Sequence, residues 1–185
     1  MRVEPIRELK HIKAIKQLLN GNYRDKLLFV LGINTGLRAQ DLLALRVFQF
    51  KDCKVGDRIT IKEKKTGKQN IIIINKEVML ALDAYLEALE PQETDFVFKS
   101  RKGKNYPLTT FRVTRLVKLW TETINLKGNY GAHTLRKTFC VIQRTCFKVP
   151  WETLCTYLNH SSPSVTRLYL GLKSEEVESI LHNNI

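Results

Sequence analysis

Apolar residues recur at helical spacing along most of this chain, and this pattern constrains the fold more than any other feature. In the first such stretch Ile12, Ile15 and Leu19 lie on one face of a helix. Further stretches with the same spacing begin near Asn22, Ala39, Val78, Thr109, Thr134, Pro150, Ser162 and Ser174. The sequence therefore predicts a domain built mainly of helices.

One region departs from helical spacing. Residues 58–63 alternate, with Ile59 and Ile61 on one face, and the β-branched run Ile71–Ile74 follows a Lys-Thr-Gly-Lys turn. A further short strand is predicted over Phe96–Phe98. The predicted fold class is therefore mainly α with a small antiparallel β-sheet, an α+β arrangement.

The composition excludes several classes of protein. With 185 residues, 43% hydrophobic and 26% charged, the chain can form one compact domain and is neither collagen-like nor wholly disordered. Its longest apolar runs are far shorter than a membrane span. The N-terminus lacks the apolar stretch of a secretory signal, so we expect a cytoplasmic protein.

Basic residues are concentrated in one part of the chain. The net charge is +13, and residues 99–148 hold twelve Lys or Arg against one acid, Glu122. Such a field favours a polyanionic partner, with nucleic acid ahead of an anionic membrane surface. From charge alone, a basic face that simply contacts solvent is an equally good interpretation.

The cysteines predict neither a disulfide nor a metal site. Cys53, Cys140, Cys146 and Cys155 form no CxxC pair and have no zinc-type spacing with the histidines. The last three fall in apolar or helical patterns, so we expect them to be buried free thiols.

Several polar residues are candidates for a site, although each is weak evidence alone. Arg38 follows a Gly-Leu turn and could bind an oxyanion or pair with Asp41, one helical turn on. His133 and Arg136 are three residues apart, so one helix face presents both. Three more candidates are also compatible with ordinary structural roles: Lys65, His160 and Tyr169.

The order of these residues carries a resemblance. Arg38 in TGLRAQDLLAL, Lys65 in KKTGK, His133 and Arg136 in GAHTLRKTF, His160 in LNHSS and Tyr169 in VTRLYL follow one another along the chain. This set resembles the catalytic domain of the tyrosine recombinase, or phage integrase, family. The resemblance covers about residues 22–172 and includes the nine-residue spacing from His160 to Tyr169.

The resemblance implies a role for each residue. Tyr169 would attack a DNA phosphate, forming a 3′-phosphotyrosyl bond and releasing a 5′-hydroxyl, with no metal, ATP or other cofactor. The other roles are phosphate binding by Arg38, Arg136 and His160, acceptance of the phenol proton by His133, and protonation of the leaving oxygen by Lys65. Because tyrosine normally titrates near 10, we expect the clustered cations to favour its phenolate.

The resemblance also indicates supporting residues. Asp41 stands where relatives commonly have Glu, and we expect it to orient Arg38. Double-stranded DNA is the implied partner, with a helix of about residues 110–125 lying close to it. The expected DNA contacts, most of which would position the duplex, are Arg101, Lys102, Lys104, Arg112, Arg115, Lys118 and Lys137.

For domain organisation we expect one catalytic domain over residues 1–185, with an N-terminal helix within 1–21. About twenty residues precede the matched region, too few for the N-terminal core-binding domain of larger members, so this is either a stand-alone catalytic domain or a part of a longer protein. The helix predicted within 173–185 would be exchanged between subunits of a dimer or tetramer, or pack on its own domain. Both options stay open.

The sequence therefore predicts a site-specific DNA recombinase or integrase of the cytoplasm, associated with the nucleoid when it acts. Two alternatives remain. A nicking-closing enzyme resembling type IB topoisomerases would relax supercoiled plasmid without recombinant product. A non-catalytic DNA-binding protein on the same fold would be expected to lack part of the ordered set.

Overall fold

A computed structural model describes residues 3–101 and 103–170. Within them the helices and strands are α1 Leu9–Leu18, α2 Tyr23–Thr35, α3 Ala39–Leu42, β1 Arg58–Lys62, β2 Gln69–Ile73, α4 Lys76–Leu89, α5 Thr110–Thr123, α6 Ala132–Thr145, α7 Trp151–Leu158 and α8 Pro163–Leu170. A single 3₁₀ turn covers Val47–Phe50. The predicted class, mainly α with a small antiparallel sheet, is confirmed.

Local sequence signals explain where the main helices begin and end. Asn75 caps α4 by accepting a hydrogen bond from the backbone N–H of Val78, and Thr109 caps α5 in the same way. The helix α2 ends at Gly36, whose φ of 59° places it in the left-handed region that favours glycine. This turn sets the direction of the chain just before Arg38.

The strands β1 and β2 form an antiparallel hairpin in which Arg58 lies opposite Ile73 and Lys62 opposite Gln69. Alternate side chains of each strand are buried. In β1 the buried residues are Ile59 and Ile61, as the alternation in the sequence predicts, whereas the return strand covers Gln69–Ile73 rather than Ile71–Ile74. The loop 63–68 therefore stands at one end of the hairpin. The strand predicted at Phe96–Phe98 is wrong, because Phe96 makes only an isolated bridge with Arg46.

The core has two parts, which α6 joins. In the larger part, α2 is apolar on nearly every side, with Leu27, Leu28 and Leu31 fully buried, and it packs against α4 and α6. The smaller part lies between the second half of α6, α7 and α8 and includes Val141 and Leu158. The active-site candidates lie along this junction.

Other details differ from the sequence-based expectations. The third helix ends at Leu42 rather than Leu45. Cys140 and Cys155 are buried as expected, but Cys146 is exposed, because it caps the end of α6. The helix expected within 173–185 lies outside the described residues. No helix in the described part of the chain is both long and apolar enough to cross a bilayer.

The turn at Gly36 gives a test of the fold. A Cβ on this residue would lie 2.4 Å from a ring carbon of Phe139, in addition to the left-handed backbone. We expect Gly36→Ala to lower the free energy of unfolding by about 3 kcal/mol, of which the backbone accounts for roughly 1–2 and the steric clash for the rest.

Gly21→Ala is the matched control for this measurement. Gly21 also has a positive φ, but a Cβ there meets nothing within 4 Å. Chemical denaturation of both variants should show the larger loss at Gly36. Equal losses would contradict the close approach of α6 to this turn.

Candidate active site

Arg136 lies at the centre of the candidate site and is almost wholly buried, with 3% of its surface exposed. It projects from α6, and its guanidinium donates to the carbonyls of Gly36 at 2.7 Å and Leu158 at 2.9 Å. Burial, followed by the nearby charge of Arg38, lowers its pKa from the ordinary value. Arginine stays charged even so, and two carbonyl oxygens partly compensate that charge.

Arg38 is the residue just before α3, and its side chain extends into the same region. Its Nη1 donates to the buried carboxylate of Glu63 at 2.7 Å. The expectation that Asp41 orients Arg38 is therefore wrong. Asp41 is buried and accepts a hydrogen bond from the backbone N–H of Lys64 at 2.8 Å instead.

Glu63 is a functional candidate that the sequence analysis missed. It is completely buried and also accepts hydrogen bonds from Thr66 and Asn70. Burial alone would raise the pKa of this carboxyl, but the hydrogen bonds from Thr66, Asn70 and Arg38 outweigh it, so the pKa lies below its ordinary value. The alternation in β1, which places residue 63 on the face of Ile59 and Ile61, was the signal that could have found it.

His133, at the start of α6, is exposed overall, yet part of its ring is removed from water. This partial desolvation and then four nearby positive charges lower the pKa of His133 below 6.5. The four charges belong to Arg136, Lys137, Lys65 and Arg38. His133 is therefore mostly neutral at pH 7 and able to accept a proton. The charge of Lys65, on the exposed hairpin loop, is thus among those that act on His133.

His160 lies just after α7 and contacts both α8 and the candidate nucleophile. Its Nδ1 is 3.0 Å from the hydroxyl of Thr166, and its ring meets that of Tyr169 edge-to-face at a centroid distance of 5.2 Å. Burial, then Arg136 and Arg38, lower the pKa of His160. The ring can thus orient Tyr169 and remain neutral.

The hydroxyl of Tyr169 is buried and makes no hydrogen bond to the residues that the structure describes. Burial raises the pKa of Tyr169 to about 12, although Arg136 and Arg38 act to lower it. Arg136 and Arg38 thus favour the phenolate as expected, but desolvation is the larger effect, so in the protein without DNA the pKa of Tyr169 lies above its ordinary value.

Lys137 does not lie where the sequence analysis expected it. This lysine, expected to contact DNA, is only 4% exposed, and its Nζ donates to the carbonyl of Val3 and lies 4.8 Å from the centroid of the Tyr169 ring. In this structure its ammonium is therefore bound inside the fold and is not on the surface where the DNA contacts were expected.

The other expected DNA contacts are on the surface. Arg112, Arg115 and Lys118 lie on the exposed face of α5, opposite the buried Val113 and Val117. Arg101 and Lys104 are also exposed, and Lys102 lies outside the described residues. The helix α5 and the loop before it therefore present basic side chains at the surface.

Comparison with known proteins identifies the family. The chain matches the model of the phage integrase family over residues 6–176. It is also 36% identical over 176 residues to a probable integrase/recombinase, YoeC, of Bacillus subtilis (strain 168), an alignment that covers 94% of this chain and 92% of that protein. The chain belongs to the phage integrase family. Members of this family are tyrosine recombinases.

Larger tyrosine recombinases and solved structures also match this chain. The tyrosine recombinase XerC of Caldanaerobacter subterraneus subsp. tengcongensis is 28% identical over 183 residues, covering 95% of this chain and 50% of XerC. The crystal structure of XerA recombinase aligns with a TM-score of 0.76 at 20% identity, over 98% of this chain and 67% of that one. This chain therefore spans about half to two thirds of these larger relatives, and its fold is that of their catalytic domains.

The state of Tyr169 can be measured directly. We expect the absorbance difference at alkaline pH between the wild type and Tyr169→Phe, without DNA, to reveal one phenol with a pKa of about 12, because the hydroxyl is desolvated. Tyr106→Phe is the control, since Tyr106 is 69% exposed. A midpoint for Tyr169 at or below that of Tyr106 would contradict the buried position.

Proposed function

We propose that this protein is a site-specific DNA recombinase that cleaves and rejoins strands through a 3′-phosphotyrosyl bond at Tyr169. The observation that carries the proposal is a set of contacts that joins the segments of Arg38, Arg136, His160 and Tyr169. Arg136 donates to the carbonyls of Gly36, two residues before Arg38, and of Leu158, two residues before His160. The rings of His160 and Tyr169 lie edge-to-face at a centroid distance of 5.2 Å. Residues far apart in sequence thus meet at a single place.

In this mechanism the two guanidinium groups hold the non-bridging oxygens of the scissile phosphate. Arg136 is held by carbonyls of Gly36 and Leu158, so it needs little rearrangement as charge develops on the phosphorus. Arg38 uses one Nη for Glu63, which leaves further N–H donors for the phosphate. His160 donates a third hydrogen bond to the same group.

Two proton transfers complete the cleavage step. Tyr169 Oη forms a bond to phosphorus while the bond from phosphorus to the 5′ oxygen breaks. The phenol proton passes to neutral His133, and Lys65 gives a proton to the departing 5′ oxygen. Because one phosphodiester replaces another, the reverse reaction rejoins a strand without ATP or a metal ion.

The basic face of α5 and the preceding loop would hold the duplex. Arg112, Arg115 and Lys118 are spaced to contact phosphates, which positions DNA with little sequence information. Solved relatives with this fold include a lambda integrase dimer bound to a COC′ core site. We infer that this chain likewise self-associates on double-stranded DNA, with residues 1–185 as one catalytic domain, and that it works at the nucleoid.

Covalent capture tests the proposal. A pool of duplexes, randomised around a nick, lets the short 5′-hydroxyl fragment diffuse away and so traps the protein on DNA. In excess EDTA, the wild type should form an adduct that survives denaturing electrophoresis. Tyr169→Phe should form none, because the nucleophile is gone, whereas Tyr106→Phe should match the wild type.

An adduct in Tyr169→Phe, or one that requires metal, would contradict this mechanism. The DNA recovered from the adduct, called here the captured duplex, also distinguishes the alternatives. Two copies of it on one plasmid should recombine. Relaxation of supercoils with no recombinant product would indicate a topoisomerase-like enzyme, and binding with no adduct would indicate a non-catalytic protein.

Salt dependence tests the DNA face. Each phosphate contact contributes about 0.9 to the slope of log affinity against log salt. We expect Arg112→Glu combined with Lys118→Glu to reduce that slope by about 2 on the captured duplex. Lys13→Glu with Lys76→Glu changes the net charge equally at exposed positions on α1 and α4. Equal slopes in the two double variants would place the DNA elsewhere.

A further inference from the structure

Two buried carboxylates, those of Glu63 and Asp41, tie the loop that carries Lys65 to residues 38–41. Glu63, the first residue after β1, accepts from Arg38 at 2.7 Å. Asp41, three residues after Arg38, accepts from the backbone N–H of Lys64 at 2.8 Å. Each of the two segments, residues 38–41 and residues 63–64, thus supplies a carboxylate that accepts a hydrogen bond from the other. Residues 63–64 immediately precede Lys65.

Glu63 also closes the loop on itself. Its carboxylate accepts from the hydroxyl of Thr66 at 2.6 Å and from the side-chain amide of Asn70 at 2.9 Å. Its backbone N–H donates to the carbonyl of Lys68, and its own carbonyl accepts from Gly67. One side chain therefore fixes the turn on both sides of Lys65 while holding the guanidinium of Arg38.

The burial of Glu63 fixes the position of its carboxylate. Its side chain is 0% exposed, and hydrogen bonds from Arg38, Thr66 and Asn70 offset the cost of burying its charge. Lys65, by contrast, is exposed, and its side chain makes no hydrogen bond or ion pair with the residues that the structure describes. Its position therefore depends on the conformation of its loop. A loop of this kind would otherwise let a long lysine side chain sample many positions.

We propose that Glu63 is a positioning residue that couples Arg38 to Lys65, so that phosphate binding and protonation of the leaving oxygen occur in one fixed geometry. This inference rests on the proposed recombinase function. Glu63 does not touch DNA in this scheme, and its effect on the reaction passes through the position of the Lys65 ammonium.

The leaving group distinguishes this role from a general structural one. The captured duplex is synthesised with sulfur in place of the bridging 5′ oxygen, because a thiolate leaves without needing the proton that an alkoxide requires. Loss of the proton donor in Lys65→Ala should slow cleavage of the oxygen substrate by about 10²–10³-fold and have little effect on the sulfur substrate. Glu63→Gln should show the same pattern.

Two further variants complete the experiment. Thr66→Val removes the hydrogen bond to Glu63 and the one that Thr66 accepts from the backbone N–H of Lys68. Because the site is exposed, the protein stays folded, and it should show a smaller loss, about tenfold, with the same recovery on sulfur. Glu93→Gln is the control, because Glu93 is an exposed carboxylate that pairs only with Lys51 on the surface. It should cleave both substrates like the wild type.

The outcomes distinguish a failure of the inference about Glu63 from a failure of the proposed recombinase function. Wild-type rates for Glu63→Gln and Thr66→Val on the oxygen substrate would overturn the inference. So would losses that are equal on oxygen and sulfur, since Glu63 would then act through Arg38 or the fold alone. If the wild-type protein forms no adduct with any duplex, the proposed function itself fails.

Discussion

Cations that are to share one phosphate repel one another before the phosphate arrives, and the rest of the site depends on how the fold meets that constraint. Arg136 is buried, and a buried charge without partners costs several kcal/mol. Here its partners are the carbonyls of Gly36 and Leu158, at the ends of two different helices. The same constraint explains the wholly buried carboxylate of Glu63 beside Arg38.

Burial of the site also changes the pKa of the nucleophile, Tyr169. Neighbouring guanidinium groups lower the pKa of Tyr169, but burial of its hydroxyl has the larger effect, and the pKa rises to about 12. In the free protein the phenol is therefore protonated at neutral pH. In the proposed mechanism a neutral base takes its proton, and the lowered pKa of His133 suits that role.

Much of the architecture could be predicted from local chemistry. Apolar spacing, the caps at Asn75 and Thr109 and the stop at Gly36 give most helix positions, because these signals act within a few residues. The strand predicted at Phe96–Phe98 was wrong because a β-branched or aromatic run says nothing about whether a neighbouring strand is available.

The site was harder to predict, since it depends on contacts between distant residues. The ordered set identified the candidate catalytic residues, but it did not show that Glu63, rather than Asp41, pairs with Arg38. Adjacent basic residues on α6 also look alike in sequence, yet Lys137 is buried beneath the Val3 carbonyl. Partners such as these become visible only when the chain is folded, although the buried face of β1 already pointed to Glu63.

The most direct test of the central claim is to identify the atom that joins DNA in the wild-type adduct. Trypsin should release a DNA-linked peptide bounded by Arg167 and Lys173, and mass spectrometry after nuclease treatment should find the remaining nucleotide on Tyr169. A nucleotide on any other residue, or a stable complex with no covalent bond, would contradict the account.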